Sequence, residues 1–304
     1  MLKFKMLSLK EKIKQKAFEL GFCLCGMTSP HQVQYSSFLQ KWLKKNYHGK
    51  MQWLESKNRE LLNPALFFPE IKSIISVADT YYFGSHELTP VLARYALGYD
   101  YHIIMKKRLY LLLDYIRSQS KHAAGIVTCD NSPVLEKYWA REAGLGWIGK
   151  NTLLINNRYG SYLTLGEILL NIPLPPDQPV RDKCNNCSQC IQACPSHALK
   201  KPYLLDTNQC ISYLTVEYRH HYNRQQQQIS SGHFFGCDIC QEACPYNQDL
   251  KPGRPDLYDF PEFIKSLQNF FKNPNPEAGI KKKQTALHRL NRLMLRRNKK
   301  NVTG

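Results

Sequence analysis

The chain is short of acidic residues and has no long hydrophobic run. Asp plus Glu number 24 against 42 Lys plus Arg, a formal net charge of +18 over 304 residues. No uncharged apolar stretch approaches the roughly 18 residues a membrane-spanning helix needs. Lysines break every apolar stretch of the N-terminal Met-Leu-Lys-Phe-Lys-Met-Leu-Ser-Leu-Lys. It reads as neither a secretory signal nor a twin-arginine signal. The expectation is a cytosolic protein without a membrane partner. Hydrophobic residues at 43 % and charged residues at 22 % exclude general disorder.

Cysteine is abundant, with eleven residues. Structural disulfides are rare in the cytosol, so another use is expected. Cys23, Cys25 and Cys129 lie in apolar N-terminal stretches and read as small buried hydrophobes. The other eight fall between Cys184 and Cys244.

Periodicity organises the rest. Leu9, Ile13, Ala17 and Leu20 recur at helical spacing, and Gly21 stands where a helix ends. Residues 22–27, 72–78 and 125–129 read as short strands. Residues 100–118 read as a long helix with Ile104, Leu111, Leu112 and Tyr115 inward. Pro133 is expected to open a helix that Gly144 stops. The apolar runs 152–156 and 161–170 flank Asn-Asn-Arg-Tyr-Gly, a hairpin signal. Three segments follow: an α/β catalytic domain over 1–178, a cysteine-rich module over 179–250 after a proline-rich linker, and a basic helical segment over 251–304.

The first cysteine motif, Cys184-x2-Cys187-x2-Cys190-x3-Cys194-Pro195, has the spacing of a bacterial ferredoxin run. The second, Cys237-x2-Cys240-x3-Cys244-Pro245, repeats its latter part, and Cys210 can supply the missing first cysteine. Eight thiolates suffice for two [4Fe–4S] clusters. Three closely spaced cysteines wrap one cube, and the fourth faces the other. The expected sets are Cys184, Cys187, Cys190 with Cys244, and Cys194, Cys210, Cys237 with Cys240. Zinc also takes C-x2-C pairs, but it has no use for the third step and the repeated Cys-Pro ending. Two clusters imply single-electron transfer, and the preceding 180 or so residues should hold the acceptor.

Several further stretches occur in order. They are Ala93-Arg-Tyr-Ala-Leu-Gly98-Tyr-Asp-Tyr-His102, Asp130-Asn-Ser-Pro133-Val-Leu-Glu136, Ala143-Gly-Leu-Gly-Trp147-Ile-Gly149-Lys150-Asn151-Thr152, Cys210-Ile-Ser-Tyr-Leu-Thr215-Val-Glu217 and Gly236-Cys-Asp238-Ile-Cys-Gln-Glu-Ala-Cys-Pro-Tyr-Asn247. Together with the cluster spacing, these resemble the epoxyqueuosine reductase family, from about residue 10 to about residue 298. The resemblance implies a nitroreductase-like α/β domain that binds cobalamin, related to reductive dehalogenases, followed by a ferredoxin-like module. It implies reduction of epoxyqueuosine to queuosine at the wobble position of tRNA, the final step of queuosine biosynthesis. Electrons would pass through the clusters to cobalamin. The family's proton donor maps to Asp130, and burial beside a flat corrin is expected to raise its pKa. Cobalamin contacts map to Trp53, Asp130, Lys137, Leu154, Ser212 and Asp238. The sequence departs from the family pattern at Asn131-Ser132, Asn185, Ile239 and Tyr246.

Charge is uneven. Residues 251–304 carry 13 Lys or Arg and 4 Asp or Glu, half of the excess. Arg289, Arg292 and Arg296 recur on one expected helix face, and Arg219 can extend the patch. Arginine forks suit phosphate, so tRNA contact is expected there. A corrinoid dehalogenase, or an electron carrier or nucleic-acid-binding iron–sulfur protein, are the alternatives. An export signal is missing for the former, and the large N-terminal domain is superfluous for the latter. The expected partners are the tRNA and an electron donor outside the chain, with the protein itself a monomer.

Overall fold

The computed structural model describes residues 7–253, 261–273 and 284–303. In chain order the first domain runs α1 (Leu9–Glu19), β1 (Leu24–Thr28), α2 (Ser36–Lys44), α3 (Trp53–Ser56), α4 (Asn58–Leu62), β2 (Ser73–Thr80), α5 (Tyr101–Gln119), β3 (Gly125–Thr128), α6 (Glu136–Glu142), β4 (Trp147–Ile148), β5 (Leu154–Ile155) and β6 (Leu163–Leu170). The sheet order is β1-β2-β6-β3, with every neighbouring pair antiparallel. This is the mixed α/β fold expected.

All eight residues of β2 are buried, because both faces of the sheet are covered. Alternate side chains point to opposite faces. Ile75 and Val77 therefore pack with Ile13, Ala17, Met105, Leu109 and Leu112 of α1 and α5. Ile74 and Ala78 face the other way, into clusters that include Trp139, Ala140 and Ala143. A Cβ at Gly26 would stand 1.9 Å from the Ala143 carbonyl, so glycine lets the end of α6 approach β1.

Three sequence expectations need correction. The inward face of α5 is Met105, Arg108, Leu109, Leu112, Leu113 and Ile116, while Leu111 is exposed. Arg108 belongs on this face because its guanidinium meets buried Asp79 at 2.5 Å, so an ionic residue interrupts the apolar stripe. The helix after Pro133 begins only at Glu136. The 152–170 hairpin reduces to one bridge, Asn156 to Gly160. β5 pairs with β4, and β6 leaves to pair with β2 and β3.

The cysteine-rich module contains α7 (Gln189–Ala193), β7 (Leu199–Lys201), β8 (Leu204–Leu205), α8 (Ile211–Val216), α9 (Arg224–Ser230) and α10 (Ile239–Glu242). The proline-rich stretch before it is pinned, since Asp177 accepts from Lys14 at 2.8 Å and from the Met27 backbone at 2.9 Å. The described C-terminal segment holds α11 (Pro261–Lys272), a short 3₁₀ turn at Ala286–Arg289, and α12 (Arg292–Thr303). It does not hang free. Phe263, Leu267, Phe270, Leu287, Leu290 and Met294 share one core with Leu92, Ala96 and Leu97 of the first domain and with Val216, Phe234 and Phe235 of the module. Each such side chain contributes about 1.5–3 kcal/mol when fully buried.

Arg297 locks this core. Its guanidinium donates to the carbonyls of Tyr218 (2.7 Å), His220 (2.7 Å) and Leu214 (2.9 Å), and lies 3.9 Å from the Tyr222 ring centroid. These carbonyls lie at the end of α8 and in the turn after it, and that of Leu214 also accepts from Tyr222 Oη at 2.9 Å. Arg297→Met keeps the aliphatic length but leaves them without this donor. The expected cost is about 2–4 kcal/mol, read as a lowered apparent melting temperature. An unchanged melting curve would show that the turn does not need the arginine.

Candidate active site and cluster module

The eight clustered cysteines separate into two groups in space. Burial raises the Cys190 thiol to about 11, and Cys244, Cys184 and Cys187 push it in the same direction. Cys244 likewise feels burial first, then Cys184 and Cys187. In the second group burial raises Cys237 to about 12, with Cys210 and Cys194 adding to it. Cys240 is raised by burial, then by Cys210, Cys237 and Cys194. The last cysteine of each Cys-Pro motif therefore sits with the other motif's set.

The spacing suits a cluster better than one ion. Among the described residues, no three His, Cys, Asp or Glu converge on a site for a single metal ion. Four thiolates on one zinc at about 2.3 Å would stand only about 3.8 Å apart. A four-iron cube presents four separate corners and needs its thiolates further apart. The buried Trp147 indole N–H, without a partner of its own, favours the thiolate form of Cys184 against the effect of burial. A donor with no other task beside a cysteine sulfur fits a cluster.

The Gly149–Thr152 stretch clasps both groups, a role that motif reading did not assign. Lys150 donates through Nζ to the carbonyls of Asn185 and Cys187 (2.8 Å to the latter). Asn151 Nδ2 reaches the Cys240 carbonyl at 3.4 Å. On the other side Arg94 pairs with Glu242 at 2.7 Å and Asp238 at 3.5 Å, two carboxylates that flank Cys240 in sequence. Asn247 donates to the Gln241 carbonyl at 2.7 Å and accepts from the Ser161 backbone at 2.7 Å.

Asp130 follows β3 in a left-handed conformation, φ +61°. Its backbone N–H donates to Glu136 Oε1, which holds that turn. The side chain opens into a pocket lined by Tyr95, Tyr101, His102, Ser212, Glu217 and Arg289, among others. Asp130 Oδ2 lies 3.1 Å from His102 Nε2 and 3.4 Å from Arg289. Burial works to raise its carboxyl, but His102 and Arg289 prevail and hold the pKa below its ordinary value. The expected upward shift is therefore reversed, because two cations face the carboxylate. Burial lifts Glu136 to about 7. His102 is pushed up to about 9; burial works against this, and Asp100 and Asp130 overcome it.

The remaining expected cofactor contacts divide. Ser212 joins Asp130 in the pocket wall. Trp53 is 48 % exposed and so is not core. Lys137 is open to solvent, yet its ammonium is disfavoured by its protein surroundings, while Glu136, Asp130, Cys240 and Cys210 favour its charge. Its charge is thus felt both by the acid and by the second cysteine group. Leu154 is buried among Ala78, Ala140, Leu145 and Leu165. Asp238 is buried, with its oxygens taken by the Arg94 backbone at 2.7 Å and Gln241 at 2.9 Å.

The basic residues also divide. Arg219, Arg292 and Arg296 are exposed. Arg289 is not on their face: it enters the pocket and pairs with Glu217 at 2.6 Å. The continuous arginine row expected from a single helix is broken, because Leu290 is the cap between the 3₁₀ turn and α12.

An α/β domain whose acid pocket backs onto a module with two sets of four cysteines defines an iron–sulfur oxidoreductase. The profile of the 4Fe-4S double cluster binding domain matches residues 183–247, and that of epoxyqueuosine reductase QueG matches residues 62–131. The epoxyqueuosine reductase of Leadbetterella byssophila is 35 % identical, over 95 % of this chain and 96 % of its own length. That of Escherichia coli is 37 % identical over 81 % of this chain and 69 % of its own. The chain belongs to the epoxyqueuosine reductase family. An epoxyqueuosine reductase solved with an epoxyqueuosine-modified tRNA stem loop superposes with a TM-score of 0.81 at 26 % identity, covering 97 % of this chain and 80 % of that one. A reductive dehalogenase shares the fold alone, at TM-score 0.50 and 15 % identity over 82 % of this chain and 34 % of that one.

Anaerobic reconstitution is expected to load about eight irons per chain in two four-iron cubes. Cys194→Ala should deplete the cluster held with Cys210, Cys237 and Cys240, although it lies in the first motif. Iron content and the electron paramagnetic spectrum of each cluster check this. Loss confined to the Cys184 set would overturn the crossed assignment.

Proposed function

We propose that this chain reduces epoxyqueuosine to queuosine at the wobble position of tRNA, using electrons carried by two [4Fe–4S] clusters to cobalamin. The observation that carries the reading is the position of Ser212. It lies two residues beyond Cys210, and it lines the same pocket as Asp130. An electron arriving at the second cysteine set is therefore next to the acid without crossing the domain.

Bound cobalamin would supply a low-valent cobalt centre able to open the epoxide. Lys137, Trp53, Ser212 and the Asp130 turn would hold it, Ser212 and Asp130 lining one pocket. Lys137 can donate a hydrogen bond to an amide-rich corrin edge, and Trp53 offers an exposed aromatic face. Asp130 Oδ2 is the atom from which a proton reaches the departing oxygen, which needs one as the C–O bond breaks. Tyr95 and Tyr101, half-buried in that wall with phenol pKa values raised by burial, remain neutral there. Arg219, Arg292 and Arg296 present cations to the phosphates of the anticodon stem loop, whose unpaired bases can be read singly. The electrons come from a donor outside the chain, and the working unit is a cytosolic monomer.

The deciding experiment is anaerobic turnover of epoxyqueuosine-containing tRNA with reconstituted protein, cobalamin and a strong reductant, followed by nucleoside analysis. Queuosine should form only when cobalamin is present. Iron–sulfur protein that leaves the epoxide intact under these conditions would refute the assignment.

Two variants sharpen it. Asp130→Asn keeps the size of the side chain but cannot pass on a carboxylic proton. Single-turnover reduction should slow by about 10²–10⁴-fold while iron and cobalamin content hold. The Arg292→Ala/Arg296→Ala pair should flatten the salt dependence of tRNA binding by about one to two in slope, with cofactor content unchanged. An unaltered slope would remove this helix from the RNA surface.

A further inference from the structure

We propose that the acid of this enzyme is a three-residue relay, Asp100–His102–Asp130, in which the proton destined for the substrate oxygen is stored on the His102 imidazole and passes through Asp130. The inference rests on the proposed epoxide reduction for its purpose, but its geometry is independent of it.

Asp100 caps α5. Its Oδ1 accepts the His102 backbone N–H at 3.0 Å and also lies 2.6 Å from His102 Nδ1. The cap thus doubles as a tether that fixes the ring. Tyr101 holds it from the side, stacked with a centroid separation of 4.0 Å. The opposite ring nitrogen, Nε2, lies 3.1 Å from Asp130 Oδ2. Ionised carboxylates only accept hydrogen bonds. A ring placed between two of them satisfies both contacts only by donating from both nitrogens, which is the imidazolium form.

The surrounding charges agree. Asp100 and Asp130 touch the ring, and Glu136 faces it from the start of α6; Lys137 beside it acts on Glu136 and Asp130. His288 comes within 3.2 Å of Asp100 from the C-terminal segment. Arg289 faces Asp130 from the same segment and is itself paired with Glu217 of the residue stretch after α8. Two carboxylates held ionised thus touch the ring, and the nearest fixed cation, Arg289, is shared with Glu217, so a positive charge on His102 is favoured. This is also why Asp130, whose pKa lies below the ordinary value, is a poor place to keep the proton and a good place to pass it on.

Exposure gives the relay a direction. Asp100 is 5 % exposed, His102 13 % and Asp130 42 %. As the C–O bond breaks, Asp130 Oδ2 takes the Nε2 proton of His102 and passes it to the departing oxygen, so Asp130 ends ionised as it began. The ring becomes neutral with Nδ1–H still on Asp100. The two electrons are those of the proposed reduction, and the second proton that completes water enters from solvent. His102 is then a proton-storing and positioning residue that acts through Asp130.

The test combines activity with a direct titration. His102→Gln can still donate an amide N–H toward Asp130 but cannot store a proton. Single-turnover reduction at pH 7 should fall by about 10²-fold or more, with the KM for tRNA unchanged. A raised folded-state pKa means that the ring is charged below it and neutral above it. The wild-type rate should therefore decline as pH rises through about 9, and His102→Gln should lose that limb. Nuclear magnetic resonance of ¹³C-labelled histidine should resolve, among ten imidazoles, one titrating near 9. That resonance should vanish in His102→Gln and titrate at lower pH in Asp130→Asn. A wild-type spectrum in which every histidine titrates below about pH 7.5 would overturn the relay even if the protein reduces the epoxide. So would a His102→Gln enzyme with the wild-type pH profile. If the wild type forms no queuosine, the functional reading fails, while the titration still decides whether the relay holds its proton.

Discussion

The arrangement depends on one clamp. Arg94 leaves the first domain on a 3₁₀ turn and grips Asp238 and Glu242, the two acids on either side of Cys240. Its own backbone N–H completes the grip on Asp238. Electron transfer falls off steeply with distance, so a redox module on a loose linker would serve the pocket poorly. The Asp238 end of this contact is buried and costly to break, while the Glu242 end is half-exposed. The Asn247–Ser161–Gln241 hydrogen bonds add direction to it. Gly160 is needed beside them, since a Cβ there would stand 2.0 Å from Asn247 Oδ1.

Given that clamp, the electrostatics of the pocket follow from how few cations reach it. The protein is strongly basic overall, yet the acid pocket is rich in carboxyl groups. Arg289 is shared between Glu217 and Asp130, and Lys137 is disfavoured as a cation by its surroundings. The consequence is a division of labour among the carboxyls. Asp100 and Asp130 stay ionised and keep His102 charged. Glu136 is lifted by burial and spends one oxygen holding the strained Asp130 turn. Behind them Glu167, fully buried, is pushed far up by desolvation and by Glu136. Along Asp130, Glu136 and Glu167 proton affinity thus rises inward, while Asp100 is held ionised by His102.

The parts of this that local chemistry dictates were legible in the sequence. Helix α1 with its Gly21 end, strands β1 to β3, and the eight spaced cysteines each carry their signal within a few residues. What escaped reading is what tertiary contact decides. The face of α5 turned because a buried ion pair, Arg108 to Asp79, replaced an apolar contact. The 152–170 hairpin dissolved because β6 had better partners in β2 and β3. Asp130 was expected to have a raised pKa from burial beside a corrin, whereas the neighbours that lower it, His102 and Arg289, are 28 and 159 residues away in sequence. Lys150 and Asn151 were visible as a motif, but their contacts with both cysteine loops were not.

The basic C-terminal segment shows the same limit most sharply. Counted along the chain, its charge points to a polyanion. In the folded protein the described cations do three different things. Arg297 and Lys299 turn inward and satisfy backbone carbonyls, Lys299 reaching those of Phe270 and Asn273. Arg289 serves the acid pocket. Arg292, Arg296 and Lys300 remain at the surface. A cation already engaged by a carboxylate at 2.6 Å, as Arg289 is, has little field left for a distant phosphate. The charge available to RNA is therefore smaller than composition indicates, and more localised. The same segment that presents surface arginines also delivers Arg289 and His288 to the relay, because Leu287, Leu290 and Met294 bury it in a core shared with the first domain and the cysteine module. The exposed arginines and the acid-facing Arg289 are thus mounted on one packed segment.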